Sequence, residues 1–126
     1  MGRPIYEIDG NNFNDFAGFI QEFNHGFVSR VGGRWNGNLD AFNDYLSWGD
    51  QRSVIYWKHS AKSKIDLGYK TMEEWLASIL CSCHPSTQEA VQSQLKDAVT
   101  HLGPTLFDIL VNIIRDNSDY VDLVLE

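Results

Sequence analysis

Trp35-Asn36-Gly37-Asn38-Leu39-Asp40-Ala41-Phe42-Asn43-Asp44-Tyr45-Leu46 is an Asn/Gly loop running into a short helix. At the helical turn angle, Leu39, Phe42 and Leu46 share one face and turn toward a core. Asp40 and Asp44, at i and i+4, share a different face. Like charges at that spacing repel and slightly destabilise a helix, so folding alone gives no reason to pair them. A cationic partner set opposite them does.

Outward from this stretch, Pro4 to Ile8 is short, β-branched and aromatic, which predicts a strand, and Asp9-Gly10-Asn11-Asn12 predicts a turn. Phe13, Phe16, Phe19 or Ile20, and Phe23 recur at helical spacing, predicting a helix from about Asn14 to Phe23 that Asn24-His25-Gly26 ends. A glycine-rich loop over 32–38 leads into the motif helix, 39–46, and 47–52 is a further loop. Ser53 to Trp57 is a near-continuous apolar run, the pattern of a buried parallel strand. The polar stretch 58–67 is a turn or short helix.

Three capping-box patterns follow: Thr71 with Glu74, Ser86 with Glu89, and Thr105 with Asp108. Each is expected to open a helix, running to Cys83, His101 and Asp116 respectively, with Gly103 as a C-cap. Val121 to Leu125 closes the chain as a last strand. Strands separated by helices need crossover connections. The expected architecture is a small α/β layered domain, a three-stranded, mainly parallel sheet with helices flanking it on both faces. The 126 residues suit one domain, and 43% hydrophobic with 13% aromatic residues suffice for a core.

The net charge of −7 argues against nucleic acid as the direct partner, because phosphate binding needs Lys and Arg. It fits a basic partner, whose encounter long-range attraction would speed, and it equally fits an ordinary acidic protein. Arg52, Lys58, Lys62, Lys64 and Lys70 fall in one stretch, so acids dominate elsewhere. No window reaches the roughly 20 apolar residues of a membrane span, and no charged-then-apolar leader opens the chain, so the cytoplasm is the expected place of action.

Cys81 and Cys83 are too close for an unstrained disulfide. Cys81-Ser82-Cys83-His84 lacks the Cys-x-x-Cys spacing of a zinc site and no second cluster exists, so core or partly buried thiols are expected, with no metal and no cofactor. His25, His59, His84 and His101 are scattered and are expected at the surface. Met72, Trp75, Leu76, Ile79 and Leu80 form an ordinary apolar helix face. Asp40 and Asp44 on adjacent turns of an exposed helix do not flank a substrate as a glycosidase pair would. With no GxSxG, P-loop or HExxH, no enzyme is expected.

Trp35 in a Gly/Asn-rich loop is expected at the surface, where an aromatic beside acids serves as an interface anchor. Asn38 serves equally as an N-cap or a contact. Trp48 serves equally as core or contact.

The run from Trp35 to Asp44 resembles the helix of the barstar family, small acidic proteins that plug the active sites of secreted ribonucleases. The family's signature is an aromatic-Gly-x-Asn-Leu-Asp-Ala run with a second Asp four residues after the first. Ile5-Tyr6-Glu7-Ile8-Asp9-Gly10 is similar to the family's first strand and turn. Val54-Ile55-Tyr56-Trp57-Lys58-His59-Ser60 is similar to its second strand, and Val121-Asp122-Leu123-Val124-Leu125-Glu126 to its closing strand.

The resemblance implies a stoichiometric inhibitor that is a monomer when free, with a small basic ribonuclease as partner and no direct contact with nucleic acid or membrane. It would act as an antidote to the cell's own nuclease or as an immunity protein against a competitor's toxin. The implied contact residues are Trp35, Asn36, Asn38, Leu39, Asp40, Asn43, Asp44, Trp48 and Asp50. The alternative is a binding module of the same fold with a non-nuclease partner.

The sequence departs from the family pattern in three places. Asn43 and Arg34 replace aromatics of the best-known member. Ile113 and Ile114 stand where it carries an acidic contact, leaving Asp116 and Asn117 as imperfect substitutes. The stretch from about Tyr69 to Pro104 is also longer.

Overall fold

The computed structural model describes residues 4–49, 51–81 and 84–126. These form three strands and six α-helices, with two short 3-10 turns. The centre is β2 (Ser53–Lys58), flanked by β1 (Ile5–Asp9) and β3 (Val121–Leu125), both parallel to it. The β1-to-β2 crossover carries α1 (Phe16–Gly26) and α2 (Leu39–Tyr45). The β2-to-β3 crossover carries α3 (Ser60–Asp66), α4 (Tyr69–Leu80), α5 (Pro85–Val99) and α6 (Leu106–Asp116).

Register places Tyr6 beside Ile55 and Ile8 beside Trp57, with Leu123 and Leu125 paired to the same two β2 residues. Paired residues share a sheet face, and this one is the core face. Trp57 is fully buried there. Its ring meets Phe19 of α1 at 5.1 Å and Phe107 of α6 at 5.0 Å. Its indole N–H donates to the buried Ser63 Oγ at 2.9 Å, so the polar atom goes in satisfied. Among the described residues, every aromatic contact of a strand residue is made from this face.

The other face departs from expectation. It carries Ile5, 60% exposed, with Glu7, Tyr56 and Lys58, and it is crossed by ion pairs, Lys58–Glu7 at 3.2 Å and Arg52–Asp122 at 2.7 Å. The helices thus cover one face. Along β2 the apolar run hides this, because even on the open face the central strand is shielded by its neighbours.

Two of the three expected capping boxes are absent. Helix α4 starts at Tyr69, and the Thr71 hydroxyl donates back to the Asp66 carbonyl at 2.5 Å. Pro85 is the first residue of α5, so its cap is His84, whose Nδ1 accepts from the Ser86 N–H. Thr105 and Asp108 do form the reciprocal box at α6.

At the end of β1, Asp9 Oδ1 accepts from the Asn11 N–H and meets His59 Nδ1, both at 2.9 Å. The Asn11 bond first, then the His59 contact, holds the Asp9 carboxyl below its ordinary value of 3.8. A carboxyl lowered on folding contributes stability above its unfolded pKa, and that stability is lost as pH falls through the folded value. The stability gap between wild type and Asp9→Asn, from denaturant midpoints, should therefore be steady near neutral pH and close in acid below 3.8. A gap that persists undiminished through the acid range would show that the carboxylate charge is not the source.

Candidate functional site

The acidic helix is held in place by the loop before it. Trp35 is only 2% exposed. Its ring packs on Phe42 at 4.9 Å, Phe23 at 5.8 Å, and Phe16 and Phe19 at 6.0 Å. Its indole N–H donates to the Asn38 carbonyl at 2.7 Å. The backbone is clamped by one side chain of α1: Trp35 N–H donates to Asn24 Oδ1 at 2.7 Å, and Asn24 Nδ2 donates to the Trp35 carbonyl at 2.8 Å. A loop can enter the core when its backbone polar groups find partners inside, and Asn24 supplies both. The expectation that Trp35 is a surface anchor is overturned: it is core.

Asn36 and Asn38 are exposed but structurally engaged. Asn36 Oδ1 accepts from the Asn38 N–H at 3.2 Å, and Asn38 Oδ1 accepts from the Ala41 N–H at 3.1 Å as the N-cap of α2. Of the two roles open to Asn38, the cap is the one observed. Gly37, at φ 101°, makes the turn between them, a conformation that favours glycine. Leu39 is half-buried, and Phe42 and Leu46 are buried, as their spacing requires.

What α2 leaves outside is Asp40, Asn43 and Asp44. The ion pairs of the described residues are Arg52–Asp122, Lys58–Glu7, His59–Asp9 and Lys62–Asp66, and neither Asp40 nor Asp44 takes part. The basic stretch is largely consumed elsewhere. Lys62 Nζ, for example, also donates to the Gly10 and Phe13 carbonyls and to Asn14 Oδ1.

Asn43 Oδ1 accepts from Asn117 Nδ2 at 2.8 Å, and the same amide donates to the Ile113 carbonyl at 2.9 Å. The acidic helix is thereby tied to the C-cap of α6, which brings Asn117 into the site; Asp116 is exposed just before it. In the same last turn of α2 the Tyr45 hydroxyl donates to the Arg34 carbonyl at 2.8 Å, and Tyr45 packs edge-on to Trp48 at 4.6 Å. Trp48 is 50% exposed, so it is not a core residue. Asp50 lies outside the described residues.

Three residues matter here that the sequence pattern did not single out. Asn24 positions the loop. Trp75 and Ile79 of α4, read as an ordinary apolar face, are only half-buried and border a groove with Asp40. Trp75 follows Glu74 in sequence, and an aromatic next to an acid on a helix edge is the signal available.

Cys81 is exposed rather than packed, because it sits just past the last turn of α4; Cys83 lies outside the described residues. Among the described residues no group of His, Cys, Asp and Glu could hold a metal ion, and no helix is long and apolar enough to cross a membrane. Comparison with models of known families, with curated proteins and with solved structures finds no match in any of the three.

Proposed function

We propose that this chain is a barstar-like stoichiometric inhibitor of a cytotoxic ribonuclease, acting in the cytoplasm as an antidote or immunity protein. The observation that carries the proposal is the pair Asp40 and Asp44: both exposed, neither ion-paired among the described residues, and both fixed on a helix tied down by Trp35, Asn38 and Asn117. A protein that holds two repelling carboxylates rigidly toward solvent has them pre-organised for cations it does not itself supply. In the cleft of a ribonuclease those cations are the Arg, Lys and His groups that bind RNA phosphates. The mechanism is occlusion: Asp40 and Asp44 occupy the phosphate positions, with Asn43 and Trp48 beside them, and no bond is made or broken. Trp35, Asn36 and Asn38 serve as the frame of this surface.

The experiment is a titration of RNA cleavage by small basic ribonucleases, beginning with any encoded by a neighbouring reading frame. Cleavage should fall linearly to zero at one equivalent of inhibitor. With a net charge of −7, association should slow steeply between low and physiological salt, while dissociation changes little. Capture of a partner that is not a nuclease, with no effect on RNA cleavage, would replace this function with that of a binding module. A salt-independent on-rate would make the net charge incidental to recognition.

A further inference from the structure

We infer that α4 extends the partner-facing surface by an acidic aromatic cleft, centred on Trp75, that takes an arginine side chain of a basic protein; this rests on α2 being the partner-facing helix. Two grooves meet at Trp75. One, of about 340 Å³, runs between the start of α2 and α4 and is lined by Asn38, Leu39, Asp40, Trp75 and Ile79. The other, of about 230 Å³, lies between the start of α1 and α4, where Asp15, Phe16, Glu74 and Trp75 are among its walls. The half-buried indole is thus a shared wall, anchored against the core and open to both grooves.

Charge decides the occupant. Asp40 lines one groove, and Asp15 and Glu74 line the other; among the described residues no lysine, arginine or histidine lines either. An apolar partner side chain would be pressed against three carboxylates. A cation gains from them and from the indole ring together. Arginine suits the site better than lysine: its planar guanidinium stacks on an aromatic face while its fork of N–H donors meets a carboxylate. Asp15 already caps α1 through the Gly18 N–H at 2.7 Å, so Glu74 and Asp40 are the carboxylates left for the guanidinium.

The surface is continuous with the acidic helix, because Asp40 belongs to both. A nuclease whose cleft binds RNA carries further basic residues at its rim. Occupation of the α4 cleft by one of them would give the long segment after residue 68 a part in recognition.

The test is an NMR titration of isotope-labelled protein with acetyl-Arg-Arg-Arg-amide, and with its lysine and citrulline counterparts. The arginine peptide should shift the Trp75 indole N–H and the Asp40 and Glu74 amides, the lysine peptide should bind more weakly, and the neutral citrulline peptide should leave them in place. Glu74→Lys reverses an exposed charge without touching the core, and should weaken the arginine peptide at least tenfold. Trp75→Leu should do the same, and if it fails to fold the Glu74 variant still decides. Shifts that avoid Trp75, equal binding of citrulline, or a Glu74→Lys protein that binds as wild type would each overturn the cleft. The titration contains no nuclease, so its failure is separate from a failure to inhibit one.

Discussion

Asp44→Ala should lose about 2–5 kcal/mol of affinity for the cognate ribonuclease, the range for truncating one member of a charge pair that is buried on binding. The loss should appear mainly as faster dissociation, since much of it is the cost of leaving the nuclease's cation buried and unpaired. Folding stability should move the other way. Asp44 stands in the last turn of α2, where a carboxylate opposes the helix dipole, and it repels Asp40 one turn earlier. Removing it relieves both, for a gain of a few tenths of a kcal/mol, on the order of 0.5. Asp40 differs: it sits in the first turn, where the dipole favours it, so Asp40→Ala gives up one interaction as it relieves the other and its stability should hardly change. Calorimetric titration against the nuclease, with urea midpoints of the free variants, reads both quantities. Affinity unchanged by Asp44→Ala would remove the helix from the interface.

The opposite signs for binding and folding at one residue mark a functional group, and the sequence shows this much because the i, i+4 repulsion is local. The same locality explains what else was legible. The strands at Ser53–Lys58 and Val121–Leu125 and the helix at Leu39–Tyr45 follow from runs of adjacent residues, and the structure places them within a residue of the expected bounds. The boxes expected at Thr71 and Ser86 do not form because a four-residue motif competes with its own flanks. The N-cap of α4 is Gly68, three residues before Thr71, and Pro85 fixes the start of α5. The burial of Trp35 has a longer-range cause: it depends on Asn24, 11 residues away on α1. Nothing in a Gly/Asn-rich loop announces that a distant amide will satisfy its backbone. The one-sided sheet was hidden likewise, since coverage is a property of where helices dock and not of any strand's own residues.

Trp35→Ala should be the most destabilising single change near the site, costing about 3–5 kcal/mol as a large core ring replaced by a cavity. Four phenylalanine rings line the space it would vacate, and they sit on α1 and α2, so the wall cannot collapse without moving the acidic helix. The backbone clamp to Asn24 survives the substitution, and the Asn38 carbonyl keeps its bond from the Phe42 N–H at 3.0 Å. The penalty is therefore packing rather than stranded polar groups. Trp35→Phe isolates the two contributions: it keeps most of the ring contacts and loses the indole N–H bond to Asn38. It should cost clearly less than Trp35→Ala and inhibit at one equivalent like wild type. An interface anchor would behave in reverse, with stability nearly intact and affinity lost in both variants. Denaturant melts paired with inhibition titrations of the two variants distinguish these outcomes. A stable Trp35→Ala protein that no longer inhibits would return Trp35 to the contact surface, against its burial among four rings.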